Sequence, residues 1–431
     1  MKIKSVRHLN GEVKDLEFPG EPQEIDGSKL LALPALIDPH VHFRVPGGEY
    51  KEDWKSGALA AVTSGVTTVC DMPNNTPPCT TLERLEAKKA QINAQLKSVG
   101  LPLRYGLYFG ADQGHFSEIP KVANSCVALK IFMGCSTGGL VVDTDSALEE
   151  AFQIAAESKM LVAVHAEDEA LLQKKRAEFR GNRRSVTHSL VRPREAAILA
   201  TEKAISLARK YGASLYILHI STKEELRLIR QAKADGVRVF GETTPHHLLF
   251  SMEDYKTLGT LIQMNPPIRE KEDQEALWEA LRDGTLDTIG TDHAPHTLEE
   301  KKLPYGEAPS GIPGIETLLP LLLDAAAKGR ITLERIVELT RKNPEKILSL
   351  PSNEDLVLVD LEMRQEVEAD RIKSKCGWTP YAGRVLQGWP IYTILEGKVI
   401  RASGLTPKKL VGRSLREGYR NEERDSGFAK S

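Results

Sequence analysis

Asp38-Pro39-His40-Val41-His42-Phe43-Arg44 follows the apolar run 31–37, and the interpretation of the whole chain starts from this stretch. Side chains two positions apart on a strand point to the same face, so His40 and His42 are predicted to share one pocket. Imidazole is a common metal ligand, and two that converge at a strand end indicate the start of a metal site. An isolated pair of this kind is also typical of a polar loop. Whether His40 and His42 belong to a metal site or to a polar loop therefore depends on other candidate metal ligands further along the chain.

The composition is that of an ordinary globular protein and excludes several classes of function. The chain has 431 residues, of which 41% are hydrophobic and 27% charged, and its formal net charge is -2. This balance argues against nucleic acid or an anionic membrane as the main partner. No apolar run reaches spanning length, and the N-terminus lacks the features of a signal peptide. Five cysteines with no C-x-x-C pair favour reduced, packed thiols in the cytoplasm, Cys135 included.

Short strand-like runs alternate with helical patterns over most of the chain. Eight such runs lie at 35–43, 66–74, 103–111, 126–133, 160–167, 214–221, 237–244 and 285–292. The clearest helical stretches between them are 80–96, 145–158, 193–211, 222–234 and 271–282. Eight strands that are each followed by a helical connection predict an α/β fold of the (β/α)8 TIM-like barrel type. Neither G-x-G-x-x-G after the first strand nor G-x-x-x-x-G-K-[ST] anywhere is present, which argues against nucleotide binding.

The two chain ends carry a different, strand-rich pattern. Because residues 1–34 are too short to fold alone, we expect them to pair with 346–405 in one small β-sandwich domain. The catalytic barrel would then span 35–345, and the polar residues 406–431 would form a loosely attached tail. The aromatic residues expected to fill the core of the small domain are Trp378, Tyr381 and Trp389.

Further polar residues lie at the C-terminal ends of apolar strands. They are Lys130, His165, His219 and Asp292. In a (β/α)8 barrel these ends open onto one face, where active sites are built. Together with His40 and His42 they exceed the needs of one tetrahedral zinc ion, and they suit two bridged metal ions.

Lys130 is the unusual member of this set, because a protonated amine is repelled by a cation. Carbamylation by carbon dioxide would convert it into an anionic group with two oxygens that can bridge two metals. Alternatively, its stem packs in the barrel while its head pairs with a carboxylate. The histidines and Asp292 on equivalent strand ends favour the carbamate.

Ordered motifs along nearly the whole chain carry a family resemblance. They are Asp38-Pro39-His40-Val41-His42, Asp71-Met72-Pro73-Asn74, Val164-His165-Ala166-Glu167, Leu218-His219-Ile220-Ser221-Thr222, Thr244-Pro245-His246-His247-Leu248, Asn265-Pro266-Pro267-Ile268-Arg269, Gly290-Thr291-Asp292-His293-Ala294-Pro295-His296 and Gly377-Trp378-Thr379-Pro380. This set resembles the cyclic amidohydrolase branch of the amidohydrolase superfamily, and within it the class I-like dihydroorotase family. The stretch 134–139 is similar to that in part of this family.

The resemblance implies a metal centre with two zinc ions. His40, His42 and Asp292 would hold one ion, His165 and His219 the other, and carboxylated Lys130 and a hydroxide would bridge them. Some family members carry aspartate at the lysine position, so Lys130 implies the carbamate version. Asp292 would also be the catalytic acid and base.

The implied reaction is the reversible cyclisation of N-carbamoyl-L-aspartate to L-dihydroorotate in de novo pyrimidine (UMP) biosynthesis. By resemblance, the ring carboxylate is held by Arg44, Asn74 and His296, and the remaining contacts to this small-molecule substrate come from His42, Asn265, Ser310 and Gly311. Arg44 shares a face with His42 if extended geometry continues past the strand. At Ser310 the family often has a bulkier residue, so this chain departs from the pattern there.

Two other functions compete with this interpretation. A hydantoinase or allantoinase would act on an uncharged cyclic amide, although hydantoinases usually carry a tyrosine just beyond the lysine, which is absent here. A non-catalytic dihydroorotase-like subunit would typically lack metal ligands, whereas every expected ligand is present. The family implies a homodimer, and the sequence leaves association with aspartate transcarbamoylase open.

The remaining histidines are expected to lie outside the reaction centre. His246 and His247 are given supporting or structural roles, and His293 should point away from Asp292. The residues interpreted as surface histidines are His8, His115 and His188.

Overall fold

The computed structural model describes residues 1–19, 22–134 and 140–402. Cys135, most of the stretch 134–139 and the expected tail 406–431 lie outside these described residues. Among the helices of the described part, none combines the length and apolarity needed to cross a membrane.

The main body is an eight-stranded parallel barrel, as the sequence predicts. Its strands, numbered 1 to 8 in chain order, are Leu36–Val41, Val66–Asp71, Arg104–Gly110, Ala128–Phe132, Val162–His165, Leu215–Ile217, Val239–Thr243 and Thr288–Ile289. Each pairs with its neighbours in sequence order. The ring is completed between strands 8 and 1, where a parallel bridge joins Val41 to His293 and the His42 N–H donates to the His293 carbonyl at 2.8 Å.

Helices cover the outside of the barrel. Those of ten residues or more are Trp54–Thr63, Leu82–Val99, Asp145–Glu157, Glu169–Glu178, Arg194–Tyr211, Lys223–Ala234, Lys271–Asp283 and Leu318–Ala327. Shorter α-helices are Ile119–Val122, Thr187–Val191, Pro245–Leu249, Tyr255–Leu258, Leu298–Lys301, Leu333–Val337 and Asn343–Ile347. Side chains of Asp53 and Thr222 accept hydrogen bonds from first-turn N–H groups and close capping boxes, which explains where two of the helices begin.

Alternation along the strands separates two apolar layers. Ala128 and Ala163 pack in a cluster with Tyr108 and Tyr216, whereas Leu129 belongs to the large core cluster that includes residues of the surrounding helices. Because neighbouring strand residues point to opposite faces, Lys130 follows Ala128 toward the interior. The strand pattern therefore directs a charged side chain to the middle of the barrel.

A second sheet is formed by both chain ends. Its strands are Lys2–His8, Val13–Glu17, Glu24–Asp26, Leu30–Pro34, Leu356–Glu366, Val385–Leu395 and Lys398–Arg401. The ends meet where Leu30–Pro34 runs antiparallel to Leu356–Glu366, with Pro34 opposite Leu356 and Leu30 opposite Asp360. The pairing of the chain ends is thus confirmed, while the division into domains at residues 34 and 346 stays a prediction.

The aromatic residues expected in the core of this sheet lie elsewhere. Tyr381 and Trp389 share a cluster with Phe250 and other residues from the barrel loops, and the sheet is instead filled by aliphatic residues such as Ile3 and Leu358. Trp378 packs with Met264 and Ile312, and its Nε1 donates to the His296 carbonyl at 2.8 Å. The prediction was wrong for Trp378 and Tyr381 because the segment between the last two long strands folds back onto the barrel. Trp389 lies on strand Val385–Leu395, but its side chain packs in the cluster with Phe250.

Candidate active site and metal centre

The ends of strands 1 and 8 bring two histidines and a carboxylate together. Nε2 of His40 lies 3.3 Å, and Nε2 of His42 3.0 Å, from Oδ1 of Asp292. One ligand atom from each residue lies within 4.8 Å of the others. Nitrogen and carboxylate donors at this spacing can hold one divalent metal ion.

A second donor pair lies beside the first. Nδ1 of His165 and Nε2 of His219 face each other at 3.0 Å. The His219 ring is 5.5 Å from the His40 ring between centroids, so the pair adjoins the first group. Within the described part of the chain, the buried Nδ1 of His219 has no hydrogen-bond partner. The two facing nitrogens are donors that a second metal ion could use.

Lys130 points into the same interior from strand 4. Its side chain is 1% exposed, and Nζ lies 4.6 Å from the centroid of the Phe132 ring. Burial lowers the pKa of Lys130 to about 7, against the opposing attraction of Asp292 and Glu242. A large share of the amine is therefore neutral near neutral pH, which is the form that reacts with carbon dioxide.

Acceptor oxygens orient three of the four histidines. The pairs are His40 Nδ1 with Glu242, His42 Nδ1 with Asn74 and His165 Nε2 with Glu167, each at 2.8 Å. An acceptor on one ring nitrogen leaves the lone pair of the other nitrogen for a metal. Glu167 is itself held by Arg192 at 2.5 Å. Metal-ligating histidines usually have such a hydrogen bond on the ring nitrogen that does not bind the metal. The histidines present therefore fit a metal centre.

Burial sets the charges that these donors carry. It lowers the pKa of His42 to about 4 and that of His219 well below its ordinary value, so both rings are neutral. Burial alone would raise the pKa of Asp292, but His40 and His42 outweigh it and hold the pKa below its usual range. The site therefore presents neutral rings at His42 and His219 and an ionised carboxylate at Asp292.

The backbone is strained where the site residues leave their strands. Arg44, His219 and Asp292 have φ values of 63°, 41° and 47°, in the left-handed region that residues other than glycine rarely adopt. Such conformations persist only when surrounding contacts hold them, and they cluster at functional sites. Beside Asp292, the N–H of Thr291 donates to Asp38 at 3.0 Å and contributes to that support.

A cleft of about 260 Å³ opens next to His42 and contains the three residues expected to bind a carboxylate. Arg44, Asn74 and His296 all line it. The expectation that extended geometry continues to Arg44 was wrong. Nε of Arg44 donates to the Pro295 carbonyl at 3.1 Å, and its Nη2 lies 3.2 Å from Nε2 of His296. The turn at Arg44, rather than extended geometry, aims the guanidinium into the cleft.

The residues expected to contact the ring amides lie around a neighbouring edge. The Ser310 carbonyl is 3.0 Å from Nε2 of His296, and the Gly311 N–H donates to the Gln263 carbonyl at 2.9 Å. Gly311 has a φ of 139°, and a Cβ there would come within 2.5 Å of the Ala294 carbonyl oxygen. Only glycine fits this turn, which brings it against the segment that precedes Asn265.

Comparison with known proteins places these features in a family. The chain matches the amidohydrolase family over residues 31–400. The chain belongs to the amidohydrolase family. This amidohydrolase is 37% identical to a dihydroorotase of Halobacterium salinarum, with 95% of this chain and 98% of the relative covered. It is 35% identical to a dihydroorotase of Bacillus cytotoxicus, over 87% of this chain and 88% of the relative. The predicted cyclic amide hydrolase is thereby confirmed.

Solved structures with a similar fold include proteins named hydantoinase and dihydropyrimidinase. An L-hydantoinase (dihydropyrimidinase) from Arthrobacter aurescens is 28% identical, with a TM-score of 0.86 and 94% of this chain and 97% of that chain covered. A dihydropyrimidinase from Brevibacillus agri is 26% identical, with a TM-score of 0.82 and coverages of 94% and 96%. These similarities confirm the barrel fold of this amidohydrolase with its second sheet.

The interpretation of His188 as a surface residue was wrong. Its side chain is buried, and Nε2 lies 2.7 Å from the Met264 carbonyl and 3.0 Å from Oδ1 of Asn265. The helix Thr187–Val191 lies on the connection that follows strand 5, and it packs over the loop that carries Asn265. In this amidohydrolase, His188 therefore helps to position a residue expected to contact substrate.

Two other histidines, His247 and His293, have structural hydrogen bonds. His247 lies 2.9 Å from Oγ1 of Thr244 and 3.1 Å from the Pro266 carbonyl. His293 accepts from the Gly314 N–H at 3.1 Å and lies away from the donor set. His246 is buried, and its Nε2 has no hydrogen-bond partner among the described residues.

Sequence reasoning missed Glu242 as a site residue. Glu242 is on strand 7, contacts His40, and accepts a hydrogen bond of 2.6 Å from the Tyr216 hydroxyl. Its position one residue before the end of an apolar strand was a usable signal, because carboxylates at such positions face the barrel mouth. Glu167, two residues past His165, carried a similar signal.

Glu242→Gln is expected to weaken metal binding by about 10- to 100-fold, because the amide is a poorer acceptor for the His40 ring proton. Zinc affinity measured by competition with a chromogenic chelator tests this. Glu279→Gln, on the exposed side of helix Lys271–Asp283, is the matched control and should leave the affinity unchanged. Equal zinc affinity in Glu242→Gln and the wild type would contradict the orienting role.

Proposed function

We propose that this amidohydrolase is a dihydroorotase that interconverts N-carbamoyl-L-aspartate and L-dihydroorotate in pyrimidine (UMP) biosynthesis. The names of its relatives from Halobacterium salinarum and Bacillus cytotoxicus support the reaction. The observation that carries the choice of substrate is the Arg44 guanidinium, which lies in the cleft beside the candidate metal centre.

Two partly buried cations, Arg44 and Lys51, line this cleft. Arg44 lines it, and within the described residues no carboxylate lies in salt-bridge distance of its guanidinium. Lys301 lies nearby, but burial lowers its pKa to about 7, so Arg44 is the firmer source of positive charge. Glu300 pairs with Lys51 at 2.9 Å, and Asp292, Asp71 and Glu52 act on Arg44 from a greater distance. A buried cation without an ion partner is unfavourable, so the cleft suits an anionic ligand better than a neutral ring.

We propose that the metal centre holds two zinc ions. His40, His42 and Asp292 would hold one, His165 and His219 the other, and Lys130, once carboxylated, would bridge them. The fit rests on the facing Nδ1 of His165 and Nε2 of His219, the converging donors of His40, His42 and Asp292, and the buried Lys130 amine described above. When bound, the ions supply Lewis acidity that polarises a carbonyl and lowers the pKa of water.

The chain's own residues would perform the remaining steps of ring opening. Arg44, Asn74 and His296 bind the ring carboxylate and so orient the scissile amide toward Asp292. Water adds its oxygen to the amide carbon, and Asp292 takes the released proton at its carboxylate. As the carbon–nitrogen bond breaks, Asp292 delivers that proton to the leaving ring nitrogen. Cyclisation is the same sequence reversed, with loss of water.

A hydantoinase is the second candidate, because solved structures of similar fold bear that name. Hydantoin and dihydrouracil lack a carboxylate and would leave Arg44 unpaired. A non-catalytic subunit is the third, and the complete set of converging donors argues against it. Metal analysis of purified protein separates this last candidate, which predicts essentially no bound zinc.

Arg44→Met is expected to raise KM for L-dihydroorotate by about 100-fold, since a charge-assisted contact to a buried carboxylate is lost. The assay compares ring opening of L-dihydroorotate, hydantoin and dihydrouracil by zinc-reconstituted protein in bicarbonate buffer. Exposed Arg227→Met is the control, and it should behave like the wild type. Selective turnover of dihydroorotate supports the proposal, whereas turnover of only the uncharged rings overturns it.

We propose further that the protein works in the cytoplasm as a homodimer. Its unpaired cysteines in the described residues (Cys70, Cys79, Cys126 and Cys376) agree with a reducing compartment. Association with aspartate transcarbamoylase is a related proposal, testable by co-elution of the two purified proteins. We also propose the domain division into residues 1–34 with 346–405, and 35–345.

A further inference from the structure

Lys51, which carries no role in the reaction described above, reaches into the carboxylate cleft. Its Nζ lies 2.9 Å from Nδ1 of His296 and 2.9 Å from Oε1 of Glu300. The side chain is 15% exposed and lines the cleft together with His42 and Arg44. It lies on the chain between strand 1 and its helix, 245 positions before His296.

The contacts with Lys51 and with the Ser310 carbonyl together determine which ring nitrogen of His296 carries the proton. An ammonium group has only donors, so Nδ1 accepts from Lys51, and the Ser310 carbonyl can only accept, so the proton of the neutral ring lies on Nε2. Burial together with Arg44 and Lys51 lowers the pKa of His296, which keeps the ring neutral. The Ser310 carbonyl, 3.0 Å from Nε2, is an acceptor for that proton.

With His296 in this tautomer, Arg44 retains N–H groups that the His296 ring cannot accept. Nη2 of Arg44 is 3.2 Å from Nε2 of His296, but a protonated Nε2 cannot accept from it. The guanidinium edge and the Lys51 ammonium are then donors around one cleft, beside a His296 N–H that already faces the Ser310 carbonyl. A carboxylate, which only accepts when ionised, is the complementary ligand.

We propose that Lys51 is a positioning and specificity-determining residue for a substrate with a ring carboxylate. It holds His296 in the Nε2–H tautomer and adds positive charge at the carboxylate end of the cleft. The inference rests on the proposed dihydroorotase function and extends the pocket beyond the three residues expected from the family resemblance. Glu300 opposes this effect, because it neutralises part of the Lys51 charge.

The first test measures kcat and KM for L-dihydroorotate in Lys51→Met and Lys51→Arg. Methionine keeps the apolar length of the side chain without the ammonium, so KM is expected to rise about tenfold while kcat changes less than about threefold. Arginine should hold KM within about threefold of the wild type. Lys55→Met, at an exposed position four residues further along the chain, is the matched control and should change neither constant.

Glu300→Gln tests the same charge effect in the opposite direction, because this substitution is expected to lower KM. Glutamine can still close the capping box of helix Leu298–Lys301, but it no longer neutralises Lys51. KM for L-dihydroorotate is therefore expected to fall about two- to threefold. A pairing that only stabilises the fold would raise KM in both Lys51→Met and Glu300→Gln.

The outcomes separate this inference from the function on which it rests. If the wild-type protein opens dihydroorotate but Lys51→Met has an unchanged KM, the inference alone is overturned. A KM that fails to fall in Glu300→Gln overturns the charge contribution of Lys51. No turnover of dihydroorotate by zinc-loaded wild type overturns the proposed function and the inference together. Unchanged zinc content and melting temperature in each variant show that the metal centre and fold are intact.

Discussion

Asp292→Asn is expected to lower kcat for ring opening of dihydroorotate by about 1,000-fold or more. Asp292 lies within 3.3 Å of Nε2 of both His40 and His42, and its carboxylate is held ionised. Asparagine keeps the shape and one oxygen donor, but its amide cannot take a proton from attacking water or return it to the leaving nitrogen. KM is expected to change much less, because the carboxylate cleft is untouched.

The experiment needs zinc content beside the kinetics, because Asp292 is proposed both to bind metal and to carry the proton. A variant that keeps two zinc ions per chain and loses kcat supports the proton-carrying role. Loss of one zinc ion together with activity would assign the effect to metal binding instead. The same substitution at the surface, Asp283→Asn, is the control. An Asp292→Asn protein with more than a tenth of wild-type kcat would contradict the mechanism.

Local sequence patterns of strands and helices were sufficient to predict the barrel fold. The run 126–133 contains strand Ala128–Phe132, and the stretch 222–234 contains helix Lys223–Ala234, whose capping residue is Thr222. Strand and helix periods, caps and breakers act over a few residues, so they can be interpreted from sequence alone. The architectural rule that strand ends share one face then brought His40 and Asp292 together although 252 positions separate them.

Contacts that depend on how loops fold back could not be predicted in this way. Trp378 and His188 were both misinterpreted, because each lies in a connection that packs onto the barrel mouth. Lys51 meets His296 through two separate loops, and no periodicity links them. Arg44 reaches its cleft through a left-handed turn, although an extended chain was expected. In each case tertiary contact, and not local propensity, decides where the side chain lies.

Lys130→Ala is expected to reduce bound zinc from two ions per chain to one or fewer, and to lower kcat by at least about 100-fold. The physical reason is that a bridging anion would be lost between two cations that repel each other. Added acetate or propionate should restore part of both quantities in this variant, because a small carboxylate can enter the space left by the lysine side chain. The same acids should leave the wild-type enzyme unchanged.

Carbon dioxide provides an independent test of the same site without mutation. Metal-free wild-type protein given zinc in carbon-dioxide-depleted buffer should bind less metal and regain little activity, and bicarbonate should then restore both. Burial that lowers the pKa of Lys130 to about 7 keeps enough of the amine neutral for this reaction near neutral pH. Full zinc binding and activity in the absence of carbon dioxide would exclude the carbamate. Lys130 would then be a packed lysine whose head interacts with the buried acids Asp292 and Glu242, the alternative that its sequence position also allows.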